Sequence, residues 1–160
     1  MYCRPILEYC SPVWFSFHSV RPIEGVLRHF TRIAYTKNFE TSATPSYEER
    51  LGIFALESMQ RRLTLLDLFL CFKIVNDLCD IPSTNFFEFA PAMHFTREHR
   101  LKLRRKCTAR RSVLRFFSFR VVLQLNSLPA EVIESSTIAN FKKRLRKVQF
   151  SYCVTRSGVF

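Results

Sequence analysis

Glycine is scarce, at 3 of 160 residues, which leaves the chain without the Gly-rich loops that cradle phosphates in nucleotide-binding folds. No Gly-x-Ser-x-Gly elbow and no His-Glu-x-x-His pair occurs, so neither an activated serine nor a metalloprotease helix has a footing in the sequence. Of the 6 Cys, none stands in CxxC spacing, and no basic-plus-apolar leader is present. That combination points to a reducing, intracellular setting without disulfides. Apolar runs are short: the longest, Leu63 to Phe72, is interrupted by Asp67 and falls far below the ~20 residues that a membrane span requires. No membrane partner is expected.

Acidic residues are also missing from one end. Positions 97–160 hold 16 Lys and Arg against 3 Asp and Glu, whereas positions 1–96 hold 9 against 10. The entire +12 charge of the chain therefore comes from its last two fifths, and a field of that sign attracts a polyanion. Apolar content of 48%, including 17 Phe, is enough for a buried core in one ordinary domain or two small ones.

Periodicity predicts an all-α fold. Ile23, Val26, Leu27, Phe30 and Ile33 recur at three- to four-residue intervals and mark an amphipathic helix over 21–35. A loop is expected over 38–46. From Leu56, the stripe Met59, Leu63, Leu66, Leu70 and Ile74, widened by Leu65, Phe69, Phe72 and Val75, predicts a central core helix of about 20 residues. Residues 80–96 read as irregular, with Phe86, Phe87 and Phe89 as apolar anchors between Pro82 and Pro91. A further helix is expected from Val113 to Asn126, then a break at Leu128-Pro129 and a short helical segment at Glu131. The last helix is placed at about 137–149, N-capped by Ser135 or Ser136, with the apolar row Ile138, Phe141, Leu145 and Val148.

A series of short words runs along the chain in a fixed order: Arg4-Pro5-Ile6-Leu7-Glu8-Tyr9-Cys10-Ser11-Pro12-Val13-Trp14, Ile23-Glu24, Tyr47-Glu48-Glu49-Arg50-Leu51, Leu56-Glu57-Ser58-Met59, Arg61-Arg62, Asp67-Leu68, Lys73-Ile74, Thr96-Arg97, Phe116-Phe117-Ser118-Phe119-Arg120-Val121-Val122, Asn126-Ser127-Leu128-Pro129 and Phe141-Lys142-Lys143-Arg144-Leu145. Taken together, the series resembles the tail of a non-LTR (LINE-type) retrotransposon reverse transcriptase, downstream of the catalytic palm, and is closest to its jockey-like branches. Leu125 stands where the family has Trp, Glu98 where it has Gly, and Phe15 where a polar residue follows Trp14. These departures mark a diverged or decaying copy. The resemblance implies a thumb-like helical bundle at 1–96, a basic linker at 97–112, a C-terminal helical module at 113–150 and a tail at 151–160. It further implies a nuclear setting and an upstream polymerase palm as a natural partner.

Catalysis is not expected of this segment. Metal-assisted phosphoryl transfer needs paired carboxylates, which the family carries in its palm, and no Asp-Asp occurs here. Glu8, Glu24, Asp67, Asp77 and Asp80 read as solvated or capping groups. His94, His99 and Cys107 are neighbours in sequence but lack the paired ligands two to four residues apart that zinc favours, so neither metal nor other cofactor is expected. What can act is the basic tail. Lys142, Lys143, Arg144, Arg146 and Lys147 fall off the apolar row of the last helix. With Arg100, Lys102, Arg104, Arg105, Lys106, Arg110, Arg111, Arg115 and Arg120 they form a candidate sequence-independent grip on RNA or an RNA/DNA hybrid. Phe116, Phe117 and Phe119 fit base stacking less well than core packing. The alternative reading is an inert remnant or a helical protein-interaction domain, self-associating through the stripe of the central helix.

Overall fold

The computed structural model describes residues 3–16, 19–39, 43–90, 101–105, 110 and 113–150. Among these the fold is all-α: α1 (Cys3–Glu8), α2 (Ser11–Trp14), α3 (Val20–Asn38), α4 (Tyr47–Ile53), α5 (Met59–Val75), α6 (Phe117–Asn126), α7 (Ala130–Ile133) and α8 (Ile138–Leu145). Short 3₁₀ turns lie at Ser83–Asn85 and Val113–Arg115. The only extended pairing among the described residues is a single antiparallel bridge between Phe89 and Leu103.

The axis of the molecule is α5, and its limits are set locally. At its start the Ser58 hydroxyl accepts from the Arg61 amide at 3.2 Å, an N-cap. At its end Asp77 takes a left-handed backbone with φ 52°. The Leu78 amide then reaches back to the Lys73 carbonyl and the Asp77 amide to that of Ile74, the double closure that terminates many helices. Asp77 thus ends a helix through its backbone. The same closure ends α4, where Ala55 is left-handed and Leu56 and Ala55 bond back to Leu51 and Gly52.

Apolar residues on several sides of α5 are covered, as the widened stripe predicts. Met59 and Leu63 close a small cluster with Phe15 and Val20. Leu65, Leu68, Cys71, Phe72, Ile74 and Val75 enter a larger core with Phe87, Leu103, Phe117, Val121, Leu125, Phe141 and Leu145. Each such side chain contributes roughly 1.5–3 kcal/mol by leaving water. This core takes residues from both sides of the stretch read as a linker. Leu103, in the middle of that basic run, is only 1% exposed.

Two acidic residues read as solvated or capping have other work. Asp67 is fully buried on α5, gripped by Arg120 of α6 through Nε at 2.6 Å and Nη2 at 2.9 Å. A buried carboxylate requires such a partner. Burial pushes the Asp67 carboxyl above its ordinary range, and the hydrogen bonds and charge of Arg120 pull it back. The guanidinium also donates to the carbonyls of Arg115 and Pro12 at 2.8 Å each and lies over the rings of Phe15 and Phe117. One side chain therefore ties α2, α5 and α6 together. Glu8 pairs with Arg62 at 2.7 Å, joining α1 to α5. The capping reading holds for Glu24, in a long-range form: it accepts the Gln60 amide at 3.1 Å in the first turn of α5 and also takes the Tyr47 hydroxyl.

Candidate nucleic-acid interface

Of the fourteen basic candidates, Arg100, Lys106 and Arg111 lie outside the described residues, as do His94, His99 and Cys107. The remaining eleven fall into distinct settings.

The first is α8. Thr137, not Ser135 or Ser136, is the N-cap, accepting the Asn140 amide at 3.2 Å; the Ser135 hydroxyl is turned back onto the Val132 carbonyl instead. Phe141 and Leu145 are completely buried. The Phe141 ring stacks on Phe72 at 4.0 Å and meets Phe69 edge-on, which fixes the rotation of the helix. α8 ends at Leu145, short of the expected 149, so Lys142, Lys143 and Arg144 lie on the helix and Arg146 and Lys147 in the turn after it; all five are exposed. Three of them stand in the last turn, where the helix dipole favours cations by about 0.3–1 kcal/mol each. Lys142 lies 5.2 Å over the Phe69 ring, and Arg144 donates to the Glu131 carbonyl. Arg61 holds the exit of the helix, donating to the carbonyls of Arg146 at 2.7 Å and Val148 at 3.2 Å.

The second setting is the segment 101–105, expected to be part of a linker but anchored on two sides. Its backbone pairs with residues 88–90 through Ala90 to Lys102 and Arg104 to Glu88. On the other side the Asn126 amide accepts from the Leu103 amide at 3.0 Å and donates to its carbonyl at 2.8 Å, standing in for a neighbouring strand. This explains the word Asn-Ser-Leu-Pro: Asn126 holds the segment, Leu128 enters the core and Pro129 precedes α7. Arg104 and Arg105 project from this fixed ledge into a cleft of about 250 Å³ shared with Phe86 and Phe119. The Arg104 to Glu88 ion pair is long, 3.7 Å, and exposed, so it is worth little.

Arg110 and Arg115 are exposed. Arg120 is a correction: its side chain is 3% exposed and committed to Asp67, so it cannot meet a phosphate. Of the three aromatics beside it, Phe117 belongs to the core, Phe119 is half-buried and Phe116 is 63% exposed. The words Asp67-Leu68, Pro12-Val13 and Phe119-Arg120 converge at one guanidinium, and Ser58 and the Ser46–Glu49 pair cap helices. Most polar words of the series are structural. No protein-family model, curated protein or solved structure matches the chain.

Proposed function

We propose that this chain is the post-polymerase segment of a LINE-type RNA-directed DNA polymerase. In this reading it performs no catalysis, and it grips RNA or an RNA/DNA hybrid without regard to sequence during reverse transcription in the nucleus. The observation that carries the reading is the exposed basic cluster at the end of α8: Lys142, Lys143 and Arg144 on a helix whose opposite face is locked by Phe141 and Leu145, and Arg146 and Lys147 in the turn that follows it. Cations spaced along one helix contact successive phosphates, and their summed counterion release gives affinity without base readout. The ledge carrying Arg104 and Arg105 adds a second phosphate contact, with Phe119 available at its side for an unpaired base. Binding of single-stranded RNA across a salt titration, by the chain and by a variant with the α8 cations neutralised, tests it.

A helical protein-interaction domain is the second reading, favoured by a different observation. Val26, Phe30 and Ile33 on α3 are 71%, 59% and 41% exposed, and Ile6, Tyr9 and Val13 are more so. Apolar surface of that kind marks a contact face. In the parent polymerase it would meet the palm, so the two readings are compatible there.

A further inference from the structure

Three described arginines of the N-terminal half, Arg28, Arg32 and Arg50, converge on one groove. Gly25, Arg28, His29 and Arg32 follow the spacing i, i+3, i+4, i+7 and so share one face of α3. Opposite them stand Thr44 and Arg50, and the six residues line a groove of about 400 Å³. Among the described residues no carboxylate lines it. Of the neighbouring described acids, Glu24 holds Tyr47 and the Gln60 amide and Glu49 is turned back to the Ser46 amide in a capping box, while Glu48 is exposed and acts on Tyr47 by its charge.

Like charges four residues apart on a helix, as with Arg28 and Arg32, cost stability when nothing lies between them. Arg50 is costlier still, being 7% exposed. Its orientation is set by the Thr31 hydroxyl, the Pro45 carbonyl and the Tyr47 ring, and the Tyr47 ring also carries Arg28 at 4.5 Å. Two guanidinium groups are thus held in place by an aromatic ring before any ligand arrives. The groove is open beside Gly25, where no atom lies within 4 Å of the position a Cβ would take.

We propose that this groove is a phosphate-binding site, separate from α8, taking a phosphomonoester or a chain phosphate of a nucleic acid. Arg28 and Arg32, both exposed, suit phosphate oxygens through paired N–H donors, with Arg50 adding its charge, and among the described residues no lining carboxylate competes for them.

The test is amide chemical-shift mapping on the full chain, titrated separately with inorganic phosphate and with an unphosphorylated single-stranded oligonucleotide. Saturable shifts at Gly25, Arg28, His29 and Arg32 are expected with at least one probe. A response to inorganic phosphate assigns the groove to free or terminal phosphates, and a response to the oligonucleotide alone assigns it to chain phosphates. Arg28→Gln with Arg32→Gln, both exposed positions, should weaken that binding about tenfold or more while circular dichroism stays unchanged. Because the Arg50→Gln variant can lose the packing around α4, the exposed pair is the decisive one. A chain with the five α8 cations changed to Gln should keep the shifts. No saturable shift with either probe, unchanged affinity in the double variant, or shifts that vanish with the α8 cations would each overturn the site.

Discussion

Arg120 and Asp67, 53 positions apart, form a buried bidentate ion pair with heavy-atom distances of 2.6 and 2.9 Å. Removing one partner leaves an uncompensated charge in the core, so Asp67→Asn is expected to cost about 3–5 kcal/mol in urea unfolding. Replacing both, as Asp67→Leu with Arg120→Met, should recover roughly half or more of that loss. Arg120→Lys should also destabilise, because an ammonium cannot serve two carboxylate oxygens and two carbonyls from one plane. A double variant no more stable than Asp67→Asn would show that the pair is not what holds α5 to α6.

Tyr47 links the α3–α4 corner to alkaline stability. Burial, then its hydrogen bond to Glu24, raises the phenol well above its ordinary value of 10.0. A group whose pKa is raised on folding contributes stability that is complete below the unfolded value and declines as pH climbs above it. Unfolding free energy should therefore fall above about pH 10, measured by denaturant titration at stepped pH. The Tyr47→Phe variant should show a shallower fall over that range. An equal slope in both proteins would remove Tyr47 as the cause.

Self-association was expected through the stripe of the central helix, but α5 is enclosed. Exposed apolar side chains stand elsewhere, and Val26, Phe30 and Ile33 gather three of them on one face of α3. Changing Val26, Phe30 and Ile33 together to Ser should convert associated species to monomer in light scattering, at a folding cost within about 0.5 kcal/mol per exposed site. A monomeric parent, or a triple variant that associates equally, would count against a contact face there.

Phe141 separates display from charge. It is completely buried and stacked on Phe72, so Phe141→Ala should cost about 3–5 kcal/mol. Any loss of RNA affinity in that variant should be regained when the fold is restored by an osmolyte such as sucrose. Affinity that stays low after refolding, as judged by circular dichroism, would mean that the ring itself touches RNA.

Local patterns were legible in the sequence and long-range pairings were not. The stripes of α5 and α8 were readable because apolar residues at helical spacing have one way to pack. The N-cap of α8 was misplaced by one or two residues, since Ser135, Ser136 and Thr137 are equally good caps until one hydroxyl finds the Val132 carbonyl. Arg120 looked like its basic neighbours because nothing local betrays a carboxylate 53 positions away. Leu103 was hidden inside a charged run, where its one-residue anchor has no period to reveal it. The groove around Arg28 and Arg50 depends on α3 lying against α4, and the balanced charge of positions 1–96 gave no hint of it.

The most direct measurement is the affinity for single-stranded RNA as a function of salt, for the parent and for the chain with Lys142, Lys143, Arg144, Arg146 and Lys147 changed to Gln. Gln is a comparable helix former, so helicity should be unchanged. For the parent, the logarithm of affinity should fall with the logarithm of salt at about −0.7 per phosphate neutralised. The five-site variant should bind every sequence more weakly and with a flatter slope. Equal affinity and equal slope across the titration would reduce α8 to a solvated surface and contradict the proposed role.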